Sequence, residues 1–161
     1  MYKWLLLFML TTPVFGAPLQ QLTKLGQGEM DYLFWTLYEA ELYAHNGRIS
    51  PTYQNTALKL TYAKSISKQA LLEATQDQWE YLGYHLQDIN RWLAKLHPIW
   101  PNVEPDDELT FFIDENGISR FYMGKTLLGV IGDIQFGQAF MAIWLSKNTS
   151  EPELRQALLG D

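Results

Sequence analysis

Arg120 and Tyr122 are the pair whose types and spacing most invite chemistry, two residues apart in the apolar run Ile118–Met123. Period-two alternation puts them on one strand face with Ile118. A guanidinium holds a carboxylate through two hydrogen bonds and a phenol can add a third. The pair is therefore a candidate polar end for an otherwise apolar ligand. Tyr38 and Tyr43, in a longer extended stretch, are alternatives. Phe34, Trp79, Phe140 and Trp144 supply candidate apolar walls, since aromatic residues commonly line ligand cavities. The chain holds six Trp, nine Tyr and eight Phe, more than its core requires.

Other chemistries lack their residues. His45, His85 and His97 are far apart, with no HxH or HExxH spacing, which argues against a metal site. There is no Gly-x-Ser-x-Gly elbow and no phosphate loop, and no cofactor is expected. Asp106-Asp107-Glu108 lacks calcium-loop spacing and is read as a solvated turn. With no cysteine, disulfides, zinc-thiolate sites and thiol nucleophiles are all excluded.

The elements that would position these residues follow from periodicity. Glu29 to Ala44 reads as one long strand, or two joined at a bend, with Phe34, Thr36, Tyr38, Ala40 and Leu42 on one face. Thr56 to Ala63 alternates as a second strand. Lys68 to Leu96 carries a helical stripe through Leu72, Thr75, Trp79, Leu82, Leu86, Ile89, Leu93 and Leu96, with Ser67 as N-cap and Gly83 a point of division. The proline-rich His97–Pro105 segment is a connection. Strands over 108–114, 118–123 and 126–131 are joined by turns at Glu115-Asn116-Gly117 and Gly124-Lys125. Asp133 caps a helix with Phe136, Phe140, Ile143 and Trp144 on its apolar face, and Ser150-Glu151-Pro152-Glu153 reads as a capping box opening a last short helix. Hairpins with helices grouped between them predict an α+β fold with a mainly antiparallel β-sheet.

Residues 1–16 have the form of a secretory signal: Lys3, an apolar Trp4–Leu10 core, then Pro13 and cleavage near Gly16. That core is too short to span a bilayer, which takes about twenty residues. The expected location is periplasmic or secreted, with residues 17–161 forming one domain and no stable membrane span after signal removal. Only Lys3 is charged in the leader, leaving 11 basic against 18 acidic groups. An acidic chain without a Lys/Arg cluster is a poor partner for nucleic acid or anionic membranes. Oligomeric state is not legible.

Gly26-x-Gly28, Tyr38-x-Ala40-x-Leu42-Tyr43, Trp100-Pro101-x-Val103, Gly129-x-Ile131-x-Asp133, Phe136-x-x-x-Phe140-x-x-Ile143-Trp144-Leu145 and Thr149-Ser150-x-Pro152-x-Leu154-Arg155 occur in this order. Together they resemble the chalcone isomerase-like family of bacterial exported proteins. The resemblance implies an antiparallel sheet covered on one face by helices, with a ligand cleft between the layers. Enzymes of that fold close a flavanone ring and stabilise the oxyanion with an arginine, where this chain reads Gly28-Glu29-Met30-Asp31-Tyr32. A carboxylate there would repel the phenolate that a guanidinium attracts. The fold's two hydroxyl-bearing positions correspond to Phe34 and Ile143, so the resemblance leaves the isomerase residues largely missing. Non-catalytic members bind fatty acids through an arginine, a tyrosine and an apolar cleft. The expectation is a non-catalytic binder or carrier of a small hydrophobic ligand, a fatty acid or related lipid. The alternatives are an isomerase or lyase using Tyr38, Tyr122 or Asp31 as acid/base groups, and an envelope accessory protein whose aromatics meet a partner.

Overall fold

Strand β1 (Thr23–Tyr32) turns back into β2 (Trp35–Ala44) through Leu33-Phe34 in the computed structural model, which describes residues 18–161. The extended stretch is thus a tight hairpin, with Tyr32 opposite Trp35 and Gly28 opposite Ala40. Neither turn residue is the glycine or asparagine that such turns favour, and Leu33 takes a left-handed φ of 55°. The proposed leader lies outside the described residues.

Strands β3 (Thr56–Tyr62), β4 (Glu108–Ile113), β5 (Ser119–Met123) and β6 (Thr126–Ile131) complete a six-stranded antiparallel meander in sequence order. Helices α1 (Lys68–Tyr81) and α2 (Leu86–Leu96) lie between β3 and β4; α3 (Ile134–Leu145) and α4 (Pro152–Leu159) follow β6. The fold is α+β, an open antiparallel sheet with four helices against one face.

Alternation decides which face. Ala40, Leu42, Leu58, Leu60, Leu109, Phe111, Ile113 and Phe121 are buried on the helical side, where Phe111 and Phe121 meet Phe136 and Phe140 of α3. The opposite face carries Glu41 between Lys24 and Lys59, at 2.8 and 2.6 Å. Trp79 fixes the helices to one another: its Nε1–H donates to the Ala139 carbonyl at 2.9 Å and its ring packs on Trp92, Phe136 and Phe140.

The helical stripe divides at Gly83, which takes φ 84° between α1 and α2. That break shifts the phase, so Leu86 is exposed and Trp92 takes a core position. Ser67 caps α1 by accepting from the Ala70 N–H at 3.1 Å, and Asp133 caps α3 by accepting from Gln135 N–H at 3.0 Å. The capping box does not form: Glu151 occupies the N-cap of α4 without a side-chain bond, and the Ser150 hydroxyl donates instead to Gln78 Oε1 at 2.7 Å. Glycine matters most where α4 lies on β1. A Cβ on Gly26 would stand 2.2 Å from the Ala157 carbonyl oxygen, so only glycine permits this approach.

Candidate ligand cavity between the sheet and helix α1

The sheet and helices do not close everywhere. Between β2–β4 and α1/α3 lies a cavity of about 550 Å³, within the usual range for small-molecule sites. Its floor is the helical-side face of the sheet at Tyr38, Leu60, Tyr62 and Leu109. Strand register makes that floor: Tyr38 pairs with Tyr62 and Leu60 with Leu109, so side chains of three neighbouring strands align. Phe140, Ile143 and Trp144 of α3 form one wall, and Ala70, Leu71, Ala74 and Thr75 of α1 another. The short side chains of Ala70 and Ala74, one turn apart, keep the helix from filling the space. Met30 and Tyr32 carry the lining out to the β1–β2 hairpin.

Few polar groups face this volume. The Tyr38 hydroxyl accepts a hydrogen bond from Trp144 Nε1 at 3.0 Å, which leaves its own proton to donate elsewhere. The Tyr38 and Tyr62 rings meet edge to face at 5.8 Å. Trp100 lines the cavity, and its buried Nε1–H has no acceptor among the described residues. Gln78 and Glu151 stand on the lining beside α4's start. Glu151 is held there by its backbone N–H on the Thr149 hydroxyl, which itself donates to the Ile143 carbonyl at 2.6 Å. Glu151 is the one formally charged residue of that lining among the described residues.

Burial pushes the Tyr38 phenol up to about 12, against the opposing effect of the Trp144 bond, and burial raises Tyr62 as well. Both phenols are thus neutral hydrogen-bonding groups at physiological pH. Because their folded pKa lies above the unfolded value, their contribution to stability is complete below about pH 10 and is lost as pH climbs toward 12. Thermal melting is expected to be flat in this respect from pH 7 to 9 and to fall steeply above pH 10. Replacing both tyrosines by phenylalanine should flatten the alkaline limb.

The structure gathers three of the eight candidate residues, Tyr38, Phe140 and Trp144, at this cavity. The others lie elsewhere. Phe34 is at the tip of the β1–β2 hairpin, because the chain reverses there instead of continuing as a strand. Trp79 is wholly buried in the helical core. Tyr43 sits on the opposite sheet face, its hydroxyl donating to Glu41 Oε1 at 3.1 Å. Arg120 and Tyr122 also face away from the helices, since the intervening Phe121 points into them. Arg120 instead pairs with Asp114 at 2.5 Å, and Asp114 accepts from the Asn116 and Ile118 N–H groups. That network closes the β4–β5 hairpin and, although burial opposes it, holds the Asp114 carboxyl below its usual range. Of the suggested acid/base groups, only Tyr38 faces the cavity. Asp31 accepts from the Thr36 hydroxyl at 2.8 Å on the hairpin. Among the described residues, no group of three His, Asp or Glu is arranged to hold a metal ion.

Sequence reasoning missed Tyr62, Trp100 and the α1 wall. Tyr62 continues the Leu58-Leu60 alternation, and the Ala70/Ala74 spacing was legible as a small-residue helix face.

A six-stranded antiparallel meander with helices on one face and a cavity between the layers defines an open-faced α+β fold. Residues 17–160 match the chalcone isomerase-like family, and the chain belongs to it. A Haemophilus influenzae protein described as uncharacterized is 25% identical over 146 residues, covering 90% of this chain and 71% of its own length. Among solved structures, an Arabidopsis thaliana fatty-acid binding protein superposes with a TM-score of 0.65 over 92% of this chain and 91% of that one, at 9% identity. That likeness is one of fold.

Proposed function

We propose that this protein binds one small hydrophobic molecule in the α1–sheet cavity, a fatty acid or related lipid, as a non-catalytic carrier in the periplasm. The observation that carries this reading is the cavity itself: about 550 Å³, walled by apolar and aromatic side chains, with neutral phenols as its enclosed polar groups. An acyl chain lies against Leu60, Leu109, Phe140 and Ile143, while its polar end reaches the Tyr38 hydroxyl or the Gln78 amide. The fatty-acid binding activity named for the Arabidopsis protein of the same fold supports the ligand class. The leader-like residues 1–16 support the location. The Arg120–Tyr122 pair is not part of this site, so a carboxylate head would be hydrogen-bonded by a phenol without a guanidinium partner.

A chain-length series tests the reading. Each methylene entering the cavity contributes about 0.8 kcal/mol, roughly fourfold in affinity. Calorimetric titration with straight-chain lipids is expected to show affinity rising at about that rate and levelling once the cavity is full. Affinity independent of chain length, or no binding at any length, would contradict it.

A further inference from the structure

The tip of the β1–β2 hairpin leaves a run of large apolar side chains open. Tyr32, Leu33, Phe34 and Trp35 are consecutive and 64, 76, 98 and 60% exposed. Scattered exposed apolar residues are ordinary, but four large ones on one projecting turn are not. Local folding does not require them: Asn-Gly would suit a two-residue hairpin turn better than Leu-Phe, and Leu33 holds φ 55° there. Strain kept where a better local sequence exists points to use.

We propose that this tip docks the protein on a zwitterionic phospholipid surface, with Leu33 and Phe34 entering the acyl boundary and Tyr32 and Trp35 at headgroup level. The arrangement along the hairpin fits that occupant. The purely apolar pair forms the apex, and the paired Tyr32 and Trp35 come next. Their amphipathic rings are the ones that favour membrane interfaces. Charges follow at the base: the Lys64 ammonium lies 4.4 Å from the Trp35 ring centroid, and Asp31 sits opposite Thr36. The base thus carries one charge of each sign, flanking β2, which suits a zwitterionic surface better than a charged one. The formal net charge of −6 opposes adsorption to an anionic surface. A convex tip also enters a fluid lipid surface without needing a matching pocket. No helix among the described residues is long and apolar enough to cross a membrane, so contact is peripheral.

Tyr32 belongs to both the tip and the cavity lining, as its neighbour Met30 belongs to the lining. Docking through the tip therefore places the cavity's edge against the bilayer. The docking surface itself is independent of what the cavity holds.

Flotation of the purified protein with phosphatidylcholine vesicles tests this, comparing wild type with the double variant Leu33→Asn/Phe34→Gly. Neither residue lines the cavity, and Asn-Gly favours the turn, so thermal melting should be unchanged or higher. Wild type is expected to float with the vesicles and the variant to partition at least tenfold less. Wild type remaining with the lipid-free fraction, or equal flotation of the two, would overturn the proposal. So would a lipid-free wild-type dimer that the variant converts to monomer without a change in flotation, which would assign the tip to a second copy of the chain. Failure of flotation leaves the chain-length series untouched, so the two readings fail separately.

Discussion

Replacing Ala74 by tryptophan is expected to reduce ligand affinity at least tenfold while leaving the fold in place. Ala74 lies on the α1 wall of the cavity and is itself exposed, so a larger side chain there does not replace a buried core residue. An indole carries some 150–250 Å² of surface and would occupy the volume in which an acyl chain lies. Each displaced methylene removes about 0.8 kcal/mol, so exclusion of even two accounts for a tenfold loss. The cost to the helix is only that of propensity, about 0.5 kcal/mol, or a couple of degrees in Tm. Titration and thermal melting together check this. Lost binding with an unchanged melt assigns the effect to the cavity, whereas a melt lowered by ten degrees would show that α1 tolerates no bulk there.

The second large effect concerns stability. Gly26→Ala is expected to destabilise by about 3 kcal/mol, lowering Tm by about 10 °C for a domain of this size. Its Cβ would fall 2.2 Å from the Ala157 carbonyl oxygen and 2.7 Å from that of Leu158. Both are backbone atoms near the C-terminus of α4 and cannot retreat unless the helix moves. Gly28→Ala should cost less, because its closest neighbours are the Leu154 side chain at 2.8 Å and the Ala157 methyl at 3.0 Å, of which the leucine can rotate. Gly132→Ala meets nothing within 4 Å and should lie within about 0.5 kcal/mol of wild type. A flat result across the three, measured by denaturant or thermal unfolding, would contradict the packing of α4 on β1.

Much of this fold was legible in the sequence because local and tertiary preferences agree. Strand β6 has the bounds that alternation predicts, and α1 and α3 begin at the caps Ser67 and Asp133. The hairpin at Leu33-Phe34 was hidden because its turn carries none of the usual residues, so the alternation of β1 and β2 ran together as one strand. The failed capping box has a similar origin: Ser150 is used across 72 positions by Gln78, a partner no local pattern announces.

The candidate site divides along the same line. Tyr38, Phe140 and Trp144 were visible from strand and helix periodicity, since each lies on the apolar face of its own element. Arg120 and Tyr122 were misplaced because Phe121 and Tyr122 are adjacent aromatics, both buried, which blurs the period that would decide their faces. The cavity was expected only through the family resemblance, which implied a cleft between the layers; no periodicity located it. It arises where β2, β3 and β4 align side chains across the sheet and two alanines hold α1 away, a coincidence of register and helix placement that no single segment encodes.

Native mass spectrometry of the protein purified from its own host, followed by lipid extraction, tests the central claim most directly. The predicted result is one stoichiometric adduct of a small apolar lipid on wild type that is absent from the Ala74→Trp variant. A ligand-free mass for wild type, together with no thermal shift from a panel of fatty acids, alcohols and esters, would contradict the carrier reading.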